Sequence, residues 1–230
     1  MSERSITAVE PGTNLSGTAT LTVTAATLVS IGVTPADSAT PLGVAQQFAA
    51  TGTFTDNTTQ DLTASVTWST SNPSIATIDN AGGSEGLASP VAVGAVTVTA
   101  TDPATSILGT TTFTVAPAVL MSLDVTPGNA STALGYERQF TATGTFSDST
   151  TQDLTSAVTW STSNTAIAAI SNADGSEGLA TTLTTGSVTV AAAMPGTAVV
   201  GTTTFTVTPA VLVSIAVTPG NASTALGYER

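Results

Sequence analysis

Apolar and polar residues alternate along short stretches of this chain. Phe48, Ala50, Gly52 and Phe54 interleave with Ala49, Thr51 and Thr53. Val96, Val98 and Ala100 interleave with Thr97 and Thr99, and Thr111, Phe113 and Val115 with Thr110, Thr112 and Thr114. A period of two turns one set of side chains to a core and the other to water. Turn signals at Asp56-Asn57, Ala81-Gly82-Gly83 and Asp102-Pro103 separate these stretches. No stretch carries a helical period. The pattern predicts an all-β sandwich of about seven strands. They fall near 27–34, 45–54, 62–70, 75–79, 84–88, 94–101 and 108–116.

The pattern occurs more than once. Val66-Thr67-Trp68-Ser69-Thr70-Ser71-Asn72 returns as 158–164, and Gly109-Thr110-Thr111-Thr112-Phe113-Thr114-Val115 as 201–207, each 92 residues later. Val33-Thr34-Pro35 returns at 125–127 and at 217–219. About 60% of the aligned positions are identical and no insertion breaks the register. The predicted organisation is two complete repeats, 26–117 and 118–209. A partial repeat at 1–25 supplies the last strands of such a unit, and one at 210–230 its first strand. Neither partial piece contains the Trp strand, so neither closes a core. Each is expected to be an unpaired strand with an apolar face, fraying in preference to pairing in trans with a neighbouring chain. The joints at 113–120 and 205–212 hold Pro117 and Pro209 and no Gly/Ser spacer, the pattern of a stiff linker. Strands of this length in an end-to-end array predict a rod advancing about 35 to 45 Å per repeat.

Composition narrows the chemistry. The chain has 15 acidic residues against 3 basic ones, a net charge of −12. The bases are Arg4, Arg138 and Arg230, and Lys is absent. Such a polyanion offers no cationic surface for phosphates, so neither nucleic acid nor anionic lipid is an expected partner. Cys and His are also absent, which removes disulfides, thiolate sites and the commonest general base. Without Lys there is no Lys–Asn isopeptide crosslink. No apolar run reaches the roughly 18 to 20 residues that span a membrane, and Met1-Ser2-Glu3-Arg4 does not open a signal peptide. Thr accounts for 50 of the 230 residues, which suits half-exposed strands.

Taken in order, several segments resemble one family. They are Leu28 to Pro35, Gln47 to Phe54, Gln60-Asp61-Leu62-Thr63, Val66-Thr67-Trp68-Ser69, Ile75 to Ile78, Gly86-Leu87-Ala88, Gly94 to Ala100 and the closing Thr-Thr-Phe-Thr-Val. The set, present twice, resembles the bacterial immunoglobulin-like domain, group 2, of intimin- and invasin-type surface proteins. The resemblance implies tandem immunoglobulin-like β-sandwiches of Greek-key topology without the inter-sheet disulfide. It implies stalks, spacers, adhesive tips or accessory modules, and no single activity.

Few residues are candidates for a site. Trp68 and Trp160 read as core residues bridging two sheets, with a sugar-stacking platform as the competing reading. The phenylalanines fall in inward phase, and Tyr136 and Tyr228 remain free where the first repeat has Val44. Asp56 with Asp61, and Asp148 with Asp153, bracket hairpin turns and read as turn-stabilising carboxylates; a calcium site there is the alternative. A glycosidase pair would need a cleft that a hairpin tip lacks. Glu85 and Glu177 read as exposed strand positions between glycines, and the sequons at Asn14, Asn57, Asn129 and Asn221 as chance. No Ser or Thr has a His or Lys to activate it.

The expected function is a non-catalytic stalk or spacer of an exported bacterial surface or adhesin-like protein, extracellular or on the cell surface. Its partners would be neighbouring repeats of the same protein. Two alternatives stand beside it. One is a subunit of a self-assembling extracellular filament or virion appendage. The other is a module binding glycan or a host receptor through loops at one sandwich end.

Overall fold

The computed structural model describes residues 2–13 and 15–216; Asn14, Asn221, Tyr228, Arg230 and most of the 210–230 segment lie outside the described residues. The described residues are all-β, with no helix. The chain divides into two compact units, Met1–Val119 and Leu120–Arg230.

The first unit opens with a hairpin of β1 (Ser2–Val9) and β2 (Ser16–Val23), which pair only with each other. A sandwich follows: β3 (Leu28–Thr34), β4 (Ser38–Pro41), β5 (Gln46–Gln47), β6 (Ala49–Phe54), β7 (Thr59–Asp61), β8 (Thr67–Thr70), β9 (Ala76–Ile78), β10 (Leu87–Pro90), β11 (Gly94–Thr101) and β12 (Leu108–Ala116). One layer is the sheet β4-β12-β11-β8. Two three-stranded sheets, β3-β6-β7 and β5-β10-β9, make the rest. The second unit repeats the order with β13 (Leu120–Thr126), β14 (Ala130–Ala133), β15 (Glu137–Gln139), β16 (Thr141–Phe146), β17 (Thr151–Asp153), β18 (Thr159–Thr162), β19 (Ala168–Ile170), β20 (Leu179–Thr182), β21 (Gly186–Ala193) and β22 (Val200–Thr208).

The period-two pattern is the reason for the core. In β11, Val96, Val98 and Ala100 are buried, and in β12, Gly109, Thr111, Phe113 and Val115. Phe48 and Phe113 meet edge to face at 5.5 Å, as Phe140 and Phe205 do at 5.4 Å. This geometry suits the ring quadrupoles. Ala50, Ala76, Ala88 and Ala100 are fully buried beside them, small residues interleaved with large ones. Phe54 is only half-buried.

Several boundaries differ from the pattern's expectation. The stretch 45–54 is two strands in two sheets, separated at Phe48, whose N–H donates to the Gly86 carbonyl at 2.8 Å. Residues 62–66 form a turn, with Ser65 and Val66 both donating to the Leu62 carbonyl, so only Thr67–Thr70 is strand. Residues 59–61, expected as turn, pair as β7 with β6. Residues 38–41 form β4, parallel to β12, with Ser38 opposite Phe113. Its partner is remote in sequence, so nothing local marks it. Glu85 sits half-buried in a turn rather than exposed on a strand, because β10 starts at Leu87. Residues 2–23 form a hairpin rather than unpaired strands, since the two halves supply each other's hydrogen bonds.

Glycine is demanded where strands cross closely. A Cβ on Gly109 would lie 2.3 Å from the Ile31 carbonyl oxygen, and one on Gly201 2.5 Å from that of Leu123. The first strand of each sandwich lies against β12 or β22 only because no side chain stands there.

Candidate functional site

The carboxylates singled out by sequence are held by their own turns. Asp56 Oδ1 accepts from the Thr58 N–H at 3.0 Å and from its hydroxyl at 2.7 Å, around Asn57 at φ +64°. Asp148 does the same with Thr150 at 3.1 and 2.6 Å, around Ser149 at φ +65°. Asp61 and Asp153 accept from the N–H of Thr63 and Thr155, both at 2.9 Å. The Thr63 hydroxyl in turn accepts from the Ala50 N–H, tying the turn to a buried strand. The hydroxyl and then the amide of the partner threonine hold all four carboxyls below the ordinary Asp range, because both donate to the ionised form. Asp56 and Asp61 therefore engage different threonines. Among the described residues no group of three or more His, Cys, Asp or Glu could hold a metal ion.

Other acids have the same kind of role, and some are replaced by neutral groups in the second repeat. Asp79 accepts from the Ser84 hydroxyl at 2.6 Å and the Ala81 N–H at 2.9 Å. Its counterpart Ser171 makes both links, to Ser176 and Ala173. Asp102 caps a turn through Thr105, where the second repeat has Met194. Glu85 accepts from the Gly83 N–H at 2.9 Å.

Trp68 and Trp160 are 2% exposed, so neither presents a ring face to a sugar. Trp68 Nε1 donates to the Thr63 carbonyl at 2.9 Å, and Trp160 Nε1 to that of Thr155 at 2.9 Å. The ring lies on Gly86, whose φ of +78° and nearness to the Phe48 carbonyl exclude a side chain. A shallow groove of about 260 Å³ beside β8 and β9 is lined by Pro73, Thr77 and Ile78 as well as the Trp68 edge. Tyr136 is exposed, as expected.

One feature escaped the sequence reading, and another, the outward threonines that the alternation predicts, is ordered across strands in a way the sequence does not show. The first is Asn80, whose side-chain amide pairs with the backbone of Trp68 on the free edge of β8; Asn172 does so for Trp160. Their only sequence signal is that they recur 92 residues apart, in a turn most of whose other residues recur as well. The second is a continuous threonine face on the four-stranded sheet. Thr112 pairs across from Thr97, Thr110 from Thr99, and Thr99 and Thr101 from Ser69 and Thr67. Alternate residues on a strand repeat at about 6.6 to 6.8 Å, and neighbouring strands at about 4.8 Å, so these side chains form a two-dimensional lattice of hydroxyls and methyls. None of these positions is charged in a chain of net charge −12. The second repeat carries Thr202, Thr204 and Thr206 opposite Ala191, Thr189 and Ser187.

Comparison with known proteins places these features in context. The family model of the bacterial Ig-like domain (group 2) matches residues 27–107 and 120–211. Ice-binding protein 1 of Shewanella frigidimarina (strain NCIMB 400) is 41% identical over 206 residues, covering 88% of this chain and 22% of that protein. The chain thus spans about a fifth of that relative's length. Among solved structures, domains 1–6 of the surface layer protein SbsC align over 93% of this chain and 36% of that one, at 14% identity and a TM-score of 0.38. The insect immune protein hemolin aligns over 90% and 56%, at 10% identity and a TM-score of 0.41.

Proposed function

The chain belongs to the bacterial Ig-like domain (group 2) family, which matches both of its repeats, and from that premise we propose that it is a non-catalytic structural extension within a larger exported surface protein. One observation carries this reading. Between the two repeats the residues that make the sandwich are retained, and so are the acids that hold the hairpin turn, Asp56 and Asp61, while other charged groups are exchanged for neutral ones. Phe48, Trp68, Asn80 and Phe113 return as Phe140, Trp160, Asn172 and Phe205, whereas Asp79 becomes Ser171 and Asp102 becomes Met194. A module selected for being repeated keeps what folds it; a module selected for chemistry keeps its reactive groups. A polyanionic surface coated with short hydroxyls also limits adhesion between neighbouring copies. The test is single-molecule pulling of the chain together with a glycan array. The expected outcome is two unfolding steps of equal length and no retained glycan. Saturable glycan capture by either repeat would replace the extension with a binding module.

A second reading has its own support. The relative named for ice binding and the uncharged threonine lattice together favour contact with ordered water at an ice surface. Ice-affinity partitioning of the chain tests it. Enrichment in ice, lost in Thr99→Lys with Thr112→Lys, supports ice contact; exclusion from ice leaves the extension alone.

A further inference from the structure

Four asparagines of the described residues lie outside any Asn-x-Ser/Thr sequon, and the fold uses the side chain of each. Asn72 Oδ1 accepts from the Ser74 N–H at 3.1 Å, and Asn164 Oδ1 from the Ala166 N–H at 3.0 Å. Asn80 and Asn172 hold the backbones of Trp68 and Trp160. Proline follows Asn72, which bars that site as a sequon. The two described sequon asparagines, Asn57 and Asn129, differ from these four. Neither side chain makes a hydrogen bond among the described residues.

Asn57 stands at the tip of the hairpin between β6 and β7. Other groups fix this turn. The Phe54 N–H donates to the Thr58 carbonyl and the Asn57 N–H to the Phe54 carbonyl, both at 2.9 Å, while Asp56 holds the amide and hydroxyl of Thr58. Asn57, Thr58 and Thr59 are all exposed. The Thr59 hydroxyl, like the Asn57 amide, is unbonded among the described residues. The turn does not require asparagine here. Ser149 takes the same place in the second repeat at φ +65°, against +64° for Asn57. The sequon at Asn129 is built into the sandwich instead. Ala130 is 8% exposed, and Ser131 pairs with Thr206 in the parallel ladder of β14 and β22. A transferase must take hold of all three residues of a sequon, and there the middle one is packed and the third lies in a sheet.

We propose that Asn57 is an acceptor for an N-linked glycan in the folded protein, and that Asn129 is not. The co-reactant is a sugar activated as a phosphate ester at its anomeric carbon, brought by a glycosyltransferase. The bond from Asn57 Nδ2 to the anomeric carbon forms as the bond from that carbon to the phosphate oxygen breaks. The phosphate leaves with the electron pair, and one Nδ2 proton passes to a base of the transferase. Nothing is oxidised or reduced. Strand β7 is the edge of its sheet, and a glycan on the turn that leads into it stands beside that edge and hinders strand addition.

The test isolates the protein from the cells that make it, as wild type and as the variants Thr59→Ala, Thr59→Ser and Asn57→Ser, and weighs its chymotryptic peptides. Cleavage after Phe54 and Trp68 separates Asn57 from Asn129. In wild type the peptide with Asn57 is expected to be heavier by whole sugar residues, and the peptide with Asn129 to have its unmodified mass. Thr59→Ala is expected to lose the added mass although Asn57 is still present, and Thr59→Ser to keep it. Asn57→Ser is expected to lose it with the first sandwich still folded, because Ser149 holds the same turn. A wild-type Asn57 peptide of unmodified mass overturns the proposal. So does added mass on the Asn129 peptide, or added mass that survives Thr59→Ala or Asn57→Ser, as sugar on a threonine would.

Discussion

The side-chain amide of Asn80 accepts from the backbone N–H of Trp68 at 2.7 Å and donates to the Trp68 carbonyl at 3.0 Å. Trp68 sits on β8, the edge of its sheet, opposite Ala100 of β11. Its N–H and C=O point away from β11, and one asparagine gives them the pair of hydrogen bonds that a neighbouring strand would give. Asn172 does the same for Trp160 at 2.7 and 2.9 Å. An open edge is a template for unwanted strand pairing, and this side chain closes it at the residue that anchors the core.

Asn80→Ala leaves both backbone groups of Trp68 without these partners and is expected to destabilise the first sandwich by about 1 to 3 kcal/mol. Asn80→Asp keeps the acceptor and loses the donor, so it should fall between wild type and alanine. Denaturant melts of the three proteins decide the order.

Trp68→Ala removes a fully packed ring and its bond to the Thr63 carbonyl, and is expected to cost about 3 to 5 kcal/mol. The second repeat has its own Trp160 core, so its transition should stay in place while the first moves. Tryptophan fluorescence of the remaining ring during unfolding reports the second unit alone.

Gly109→Ala and Gly17→Ala make a matched pair. The first puts a Cβ against the Ile31 backbone and is expected to cost about 1 to 3 kcal/mol through overpacking. The second meets nothing, and both sandwich transitions should stay within about 0.5 kcal/mol of wild type. Equal losses in the two variants would contradict the crossing geometry assigned to Gly109.

The lowered pKa values of Asp56, Asp61, Asp79, Asp148 and Asp153 fix the sign of the acid response. Folding favours the ionised carboxylate, so the stability it contributes is present above the ordinary Asp value of about 4 and is lost as pH falls below it. Melting temperature should be flat with respect to these groups from pH 8 to about 5 and then decline. Asp56→Asn with Asp148→Asn keeps an acceptor for the turn and should make the decline shallower. Because each carboxylate is engaged with its own turn, EDTA and added calcium should both leave the melting curve unchanged. A rise of several degrees with calcium would mean that an ion bridges these turns.

The alternation of apolar residues with threonine was enough to read the sandwich, the two repeats and the inward place of Trp68, Phe48 and Phe113. It could do so because a strand with one wet face must repeat every two residues whatever its neighbours are. What remained hidden depends on contacts between distant parts of the chain. Strand β4 exists because β12, more than 70 residues later, accepts it in parallel. The stretch around Phe48 divides because Gly86 takes its N–H. Gly109 looks like any strand glycine until Ile31 is laid across it, and Asn80 like any turn asparagine until the outward backbone of Trp68 is beside it. Local patterning is set by the chain's own periodicity, so the sequence alone determines it. Edge closure, sheet switching and close crossing are set by which remote backbone groups come within hydrogen-bond or van der Waals reach, and only the tertiary structure decides those.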